Sequence, residues 1–254
     1  MHAGFWRNEV EFGFFLSHPV ISRYGQPSTC KADYIQDHGT ATESWGQKVD
    51  PAEVLKYTNT IVGWPEVADR AIKTIPSEGL VDWKLMWRDP QPQWTSPGGR
   101  VVQLGDSAHT FLPSSGNGGT QAIEDAASLA ACICVVGNQI QIPDATRVHN
   151  LLRFERVSYL QAFGVVNREK ANSGSTEPGD KKKHIVHMGK WILDHDPEQY
   201  AIDNFEDALA HVKHGTPFQN TNTPPGAKYQ PWTIDGLLAA QQKGEPTVLD
   251  GDWD

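Results

Sequence analysis

The sequence is short of cysteine, short of basic charge and free of long apolar runs, and each shortage narrows what the chain can be. Cys30, Cys132 and Cys134 are the only cysteines among 254 residues. The last two stand two apart on a predicted helix, so they face opposite ways and can share neither a bridge nor a metal. A reducing compartment is expected. With 22 basic and 31 acidic side chains the formal charge is −9 and the pI near 5.5, which argues against nucleic acid or a membrane as a partner held by bulk attraction. No run approaches the ~18 apolar residues of a membrane span. The opening residues, Met1 to Glu9, lack the basic end, greasy middle and small-residue cleavage site of a secretory signal. The expected location is the cytoplasm. Hydrophobic residues reach only 38% with a mean hydropathy of −0.50, while 23 glycines and 17 prolines predict long irregular connections in a globular chain.

What is present divides along the chain, with no internal repeat. Val10 to Leu16 reads as a strand, followed to Gly46 by crowded turn residues. Asp50-Pro51-Ala52-Glu53 supplies an N-cap, a first-turn proline and an early acid, and Trp64-Pro65-Glu66 opens a second short helix toward Ile75. From Leu80 the period changes to two: Val81, Trp83, Leu85 and Trp87 share one face of a strand that ends at Asp89-Pro90. An aromatic strand face of this kind is core in most proteins rather than a substrate pocket. Val101 to Leu104 reads as a buried strand running into Gly105-Asp106. A loop rich in small residues, Ser114 to Gly119, then leads to an alanine-rich helix from Thr120 to about Val136, with Gly137 as its C-terminal cap. Asp144 caps a longer helix whose stripe is Val148, Leu152, Tyr159 and Phe163, with Arg147, Arg153 and Arg156 elsewhere. Ala171 to Lys183 is a linker by composition, with Lys181 to Lys183 solvated, and Thr216 to Pro231 is a proline-rich arm between two short helical stretches.

The informative order is strand, Gly-Asp, proline-ended turn, glycine-rich loop, helix start. An aspartate at a strand's end can accept hydrogen bonds from a ribityl or ribose hydroxyl, and glycines let backbone N–H groups approach a ligand. A helix start adds partial positive charge, suited to an electron-rich heterocycle or an anion. The same loop is also compatible with a structural turn before a packed helix. His109, two residues beyond that turn, fits a loop brace better than a catalytic base. His184 with His187, and His211 with His214, stand three apart as metal ligands on one helix face would, yet neither pair has an evident third ligand. They read as solvated histidines, and no metal is expected.

Gly105-Asp106-Ser107-Ala108-His109-Thr110-Phe111-Leu112-Pro113, continuing through Gly116-Asn117-Gly118-Gly119-Thr120-Gln121-Ala122-Ile123-Glu124-Asp125-Ala126, strongly resembles the second FAD-binding motif of single-component flavin-dependent aromatic hydroxylases of the salicylate-hydroxylase type. The likeness extends through Val81 to Leu85, Arg88-Asp89-Pro90 and Arg153-Phe154-Glu155-Arg156, covering about Asp50 to Lys170. The resemblance implies that Gly105 and Asp106 hold the ribityl chain, that Pro113, Gly116 and Gly118 lie along the isoalloxazine, and that the backbone at Gly119 and Thr120 faces its pyrimidine edge. NAD(P)H would be the reductant. The implied substrate is a small aromatic or polyketide-like molecule of secondary metabolism, hydroxylated or epoxidised; no catalytic residue is implied.

The family's opening Gly-x-Gly-x-x-Gly turn is missing, as is its later Asp-Gly motif at family spacing. The chain therefore resembles the C-terminal part of such an enzyme, a truncated form whose own FAD affinity is expected to be weak. The implied fold is α+β, derived from an α/β design: a partial flavin-hydroxylase fold with a short sheet, packed helices and a helical, proline-rich C-terminal extension. Residues 1–100 would be the remnant of a substrate-binding sheet region, 101–170 the second FAD motif with its helices, and 171–254 the linker and extension. Self-association, or a second chain supplying the N-terminal FAD domain, follows from the apolar surface such a half would leave. Two other readings are a flavin-free binding or isomerase/cyclase-type module that kept the cavity, and an inactive remnant.

Overall fold

A computed structural model describes residues 12–15, 31–34, 48–59, 64–76, 79–80, 88–112, 115–172, 188–245 and 250–253. It divides into two compact units, His2–Met86 and Trp87–Asp254.

In the smaller unit, strands β1 (Phe12–Phe15) and β2 (Lys31–Tyr34) pair antiparallel, with Phe12 opposite Tyr34 and Phe15 opposite Lys31. Helix α1 spans Pro51–Thr58, and Asp50 Oδ1 accepts the Ala52 N–H at 2.8 Å, the cap its sequence predicts. Helix α2, Glu66–Lys73, buries Ala68 and Ile72 four residues apart on one face. Asp69 Oδ1 accepts from Trp64 Nε1 at 2.7 Å and Thr58 Oγ1 at 3.2 Å, tying the end of α1 to the start of α2. The aromatic strand expected over Leu80 to Arg88 lies, at 81–87, outside the described residues.

The larger unit is built on helices. Helices α3 (Gly118–Val136), α4 (Ile142–Asn172) and α6 (Pro197–His214) share one apolar core. There Ala131 and Cys132 of α3 meet Ala145, Val148 and Leu152 of α4 and Ala201, Phe205 and Ala208 of α6. Alanine recurs because small side chains let helix axes approach closely while Phe205 fills the remaining gap. Gly137 ends α3 at φ 65, its N–H donating to Ile133 O, and Gly215 ends α6 at φ 69 in the same way onto His211 O. Cys132 is buried and Cys134 exposed, as a spacing of two on a helix requires. Short α5 (Lys190–Leu193) precedes α6, and the arm between 215 and 233 runs from α6 to α7 (Ile234–Gln242). The arm is pinned to α4 by Asn220 Nδ2 on Leu151 O and Asn222 Nδ2 on Leu152 O, both at 3.0 Å.

Three expectations change. Val101 to Leu104 is no buried strand: a single antiparallel bridge joins Thr95 to Val102, and Val101 is 67% exposed. Ser96 N donates to Val101 O and Gln103 N to Trp94 O, so the segment pairs with its own flank across the Pro97–Gly99 turn. The larger unit thus contains no multi-stranded sheet among its described residues. Helix α4 continues through Asn172, into the segment read as linker; 173–187, with Lys181 to Lys183, His184 and His187, lie outside the described residues. Arg153 and Arg156 are buried, so α4 is covered on a polar face as well as on its apolar stripe.

Candidate functional site

The loop that the sequence singles out is folded against the first turns of α3. Gly105–Ser107 forms one tight 3₁₀ turn, closed by Ala108 N and His109 N donating to Gly105 O at 2.8 and 2.9 Å. Gly105 adopts φ 55, and a Cβ there would lie 3.1 Å from the Ala122 Cβ, so left-handed backbone and close approach to α3 both require glycine. The Asp106 side chain is exposed, while its carbonyl accepts from Arg88 at 3.3 Å. Gly116 is exposed with φ 63, and Gly118 sits behind Phe111, whose Cβ lies 3.3 Å from where a side chain would begin. Gly119 and Thr120 are exposed, and a Cβ on Gly119 would meet nothing within 4 Å. Pro113 lies outside the described residues.

Asn117 occupies the N-cap position of α3, yet its side chain makes no capping bond; the amide donates instead to Ser115 O at 2.6 Å. The first turn carries no acid either. Its N–H groups therefore present partial positive charge toward an open surface, and the turn that carries the exposed Asp106 carboxylate packs against the same helix.

One turn further along, one face of the same helix is buried and fully engaged. Gln121, Glu124 and Asp125 face Arg153 and Arg156 of α4. Arg153 Nε donates to Asp125 Oδ1 at 2.9 Å, its Nη1 to Glu124 Oε2 at 2.5 Å and its Nη2 to Gln121 Oε1 at 2.7 Å. Arg156 grips Glu124 with two parallel bonds, Nε to Oε2 at 2.8 Å and Nη2 to Oε1 at 3.0 Å. Its remaining donors reach Trp191 O, Ile192 O and Asn222 O, joining α5 and the arm to α3. Asp125 Oδ2 accepts the Gly105 N–H at 3.0 Å and stands 2.6 Å from His109 Nε2. His109 is buried in the bracing position between loop and helix.

Burial pushes the Glu124 carboxyl up, but Arg156 and Arg153 outweigh it and hold the group at about 2. For Asp125 burial is likewise overcome, by His109, Arg153 and the Gly105 N–H, again leaving about 2. Both are ionised at neutral pH, so His109 Nε2 donates. Burial lowers His149 and His195 to about 4, leaving both imidazoles neutral. His211 Nδ1 lies 2.6 Å from the Thr216 carbonyl and His214 is exposed.

The sequence points to the loop and the start of α3 together, while the roles of Glu124, Asp125, Arg153 and Arg156 emerge only in the fold. The signal was there: adjacent acids inside an alanine-rich helix and two arginines three apart on the next one. Helix α3 is by length and composition apolar enough to cross a membrane, yet its charges are all matched within the fold.

No protein-family profile matches the chain. Curated relatives do. It is 41% identical over 245 residues to the FAD-dependent monooxygenase dmxR9 of Cryptosporiopsis sp., covering 95% of this chain and 46% of the relative. It is 44% identical over 229 residues to the FAD-dependent monooxygenase fsr3 of Gibberella fujikuroi, covering 87% and 43%. Among solved structures it resembles FqzB, with a TM-score of 0.63 and 29% identity over 77% of this chain and 45% of that one. It also resembles CtdE solved with FAD and a substrate, with a TM-score of 0.61 and 29% identity over 76% and 46%. The chain spans about half the length of the curated relatives it matches.

Proposed function

We propose that this chain, homologous to about half of the FAD-dependent monooxygenases, carries one side of a monooxygenase flavin site. The observation that carries the reading is the juxtaposition at α3: an uncapped helix start with open space over Gly119, beside an exposed Asp106 carboxylate on a turn packed against the same helix. Asp106 suits the ribityl hydroxyls, accepting their hydrogen bonds with a full charge. The N–H groups at Gly118, Gly119 and Thr120 suit the electron-rich edge of the ring, and Gly116 at φ 63 turns the loop into the helix. FAD, when bound and reduced by NAD(P)H, supplies oxygen activation. This chain's own residues bind and orient it, and the helix start favours negative charge where the ring would lie.

The reaction class that fits is hydroxylation or epoxidation of a small aromatic or polyketide-like molecule of fungal secondary metabolism, by analogy with the relatives. The site is completed by a polypeptide bearing the glycine-rich dinucleotide turn. Val101 at 67% and Ile123 at 73% exposure supply apolar surface on the hairpin and on α3, suited to that polypeptide or to self-association. A flavin absorbance titration with light scattering tests this, with and without the matching N-terminal half of a related monooxygenase. Weak FAD binding alone and tight, yellow, stoichiometric binding with the added half is the expected result. A colourless mixture under both conditions would return the chain to the flavin-free binding module.

A further inference from the structure

Resting on the reading of Asp106 and the α3 start as a flavin cradle, we propose that Asp125 is the positioning residue of that cradle. It holds the Gly105-Asp106 turn in register with the first turn of α3. Asp125 is 0% exposed, so it touches no ligand and acts only through its partners.

Two routes lead outward from one carboxylate. The first runs through the backbone: Oδ2 accepts the Gly105 N–H at 3.0 Å, and Gly105 is the residue before Asp106. Arg88 holds the outer side of the turn through the Asp106 and Ser107 carbonyls; on the inner side, where Gly105 sits tightly on Ala122, the Asp125 bond is what ties the turn, and with it the Asp106 carboxylate, to α3. The second runs through His109, 2.6 Å from the same oxygen. The His109 ring packs edge-on against Phe111 at 5.4 Å between centroids, and Phe111 backs Gly118 at the start of α3. Arg153 Nε, at 2.9 Å from Oδ1, holds the carboxylate itself in place. The ribityl side and the ring side of the cradle are therefore registered against each other by one buried group.

A purely structural ion pair would lower stability without acting on ligand affinity through Asp106, which separates the two roles. The test is a double-mutant cycle on FAD affinity, followed by flavin fluorescence in the full chain together with the N-terminal half of a related monooxygenase. Its members are Asp106→Ala, Asp125→Asn and the double variant, with Phe205→Leu in the helical core as a destabilised control. Asp125→Asn keeps the shape but sets an amide against donors on two sides. It is expected to weaken FAD by about tenfold or more, to add little once Asp106 is alanine, and to differ from Phe205→Leu, which leaves affinity unchanged. His109→Gln breaks only the second route and should give a smaller loss of the same sign, serving also if Asp125→Asn folds poorly. Hydrogen exchange over residues 104–111 of the flavin-free chain gives a readout that needs no ligand: faster exchange in Asp125→Asn, unaltered exchange in Phe205→Leu. Additive losses in the cycle, or unchanged exchange over the turn, overturn the positioning role. An Asp106→Ala variant that binds FAD as well as the parent overturns the cradle reading instead, and the exchange result then decides whether Asp125 holds the turn.

Discussion

The first turn of α3 and the turn that follows it are made in opposite ways. Gly118, Gly119 and Thr120 offer uncapped N–H groups to an open surface, while Gln121, Glu124 and Asp125 are buried with their acceptors taken by Arg153, Arg156, His109 and the Gly105 N–H. A helix end left with unpaired donors is a local weakness, and here it adjoins the most heavily cross-linked polar cluster in the described residues. The difference shows how one helix carries both an interaction surface and its own support. Glycine is tolerated at the start because the next turn is anchored to α4, α5, the arm and the Gly105 turn at once.

The largest effect should come from removing the anchor. Arg153→Ala leaves Glu124 short of a partner and Asp125 without its Arg contact in a dry interior, and breaking a buried pair by deleting one member typically costs about 3–5 kcal/mol. Urea unfolding should show that loss. A variant within 1 kcal/mol of the parent would mean that water reaches the cluster and that the contrast between the two turns is overstated.

Acid should loosen the same turn next. Glu124 and Asp125 drop from ordinary values of 4.5 and 3.8 to about 2 in the folded chain. Their depressed values make the unfolded state the better proton binder between these limits. The stability they confer is complete above about pH 5 and falls as pH drops toward 2, by roughly 2–3 kcal/mol for each of the two groups. Urea midpoints that stay level from pH 6 to pH 3 would contradict the ionised cluster.

The open side should respond the other way. Asp106→Ala removes an exposed carboxylate, so stability should change by less than about 0.5 kcal/mol. Flavin affinity should fall about ten- to a hundredfold, the worth of a charge-assisted hydrogen bond. Equal titration curves for variant and parent would remove Asp106 from the site.

How much of this was legible follows from the range of the forces involved. Caps and breaks are local, so Asp50 before α1, Gly137 after α3 and the stripe of Val148 and Leu152 were readable in the sequence. Val101 to Leu104 reads as a buried strand because Val-Val-Gln-Leu has β-type residues on either reading; the hairpin partner at Thr95, seven residues before Val102, makes it a bridge. The ionic cluster was invisible for a different reason. Arg153 and Asp125 are 28 residues apart, and nothing in either helix alone says that its charges will face inward. Helix amphipathicity assigns charge to solvent, and that rule fails when two helices bury complementary polar faces together.

The smallest effect is the most discriminating, because its two readouts should move in opposite directions. Gly119 lies in the first turn of α3 with helical backbone, and a Cβ placed there would meet no atom within 4 Å. Alanine relieves the entropy that glycine loses on folding and favours the helix by up to about 0.5–1 kcal/mol. Nothing in the fold opposes it. Gly119→Ala should therefore be as stable as the parent or slightly more so in urea. If that empty space is where a flavin ring approaches the helix, the added methyl stands in its path and FAD affinity must drop while stability rises. Thermal and chemical unfolding supply one half of the test and a flavin titration the other. A variant that gains stability and keeps its affinity would show that the glycine is a sequence convenience, and the open first turn would lose its claim as the ring-facing side of the cradle. Gly105→Ala marks the opposite pole: φ 55 and the close Ala122 predict lost stability whether or not flavin binds.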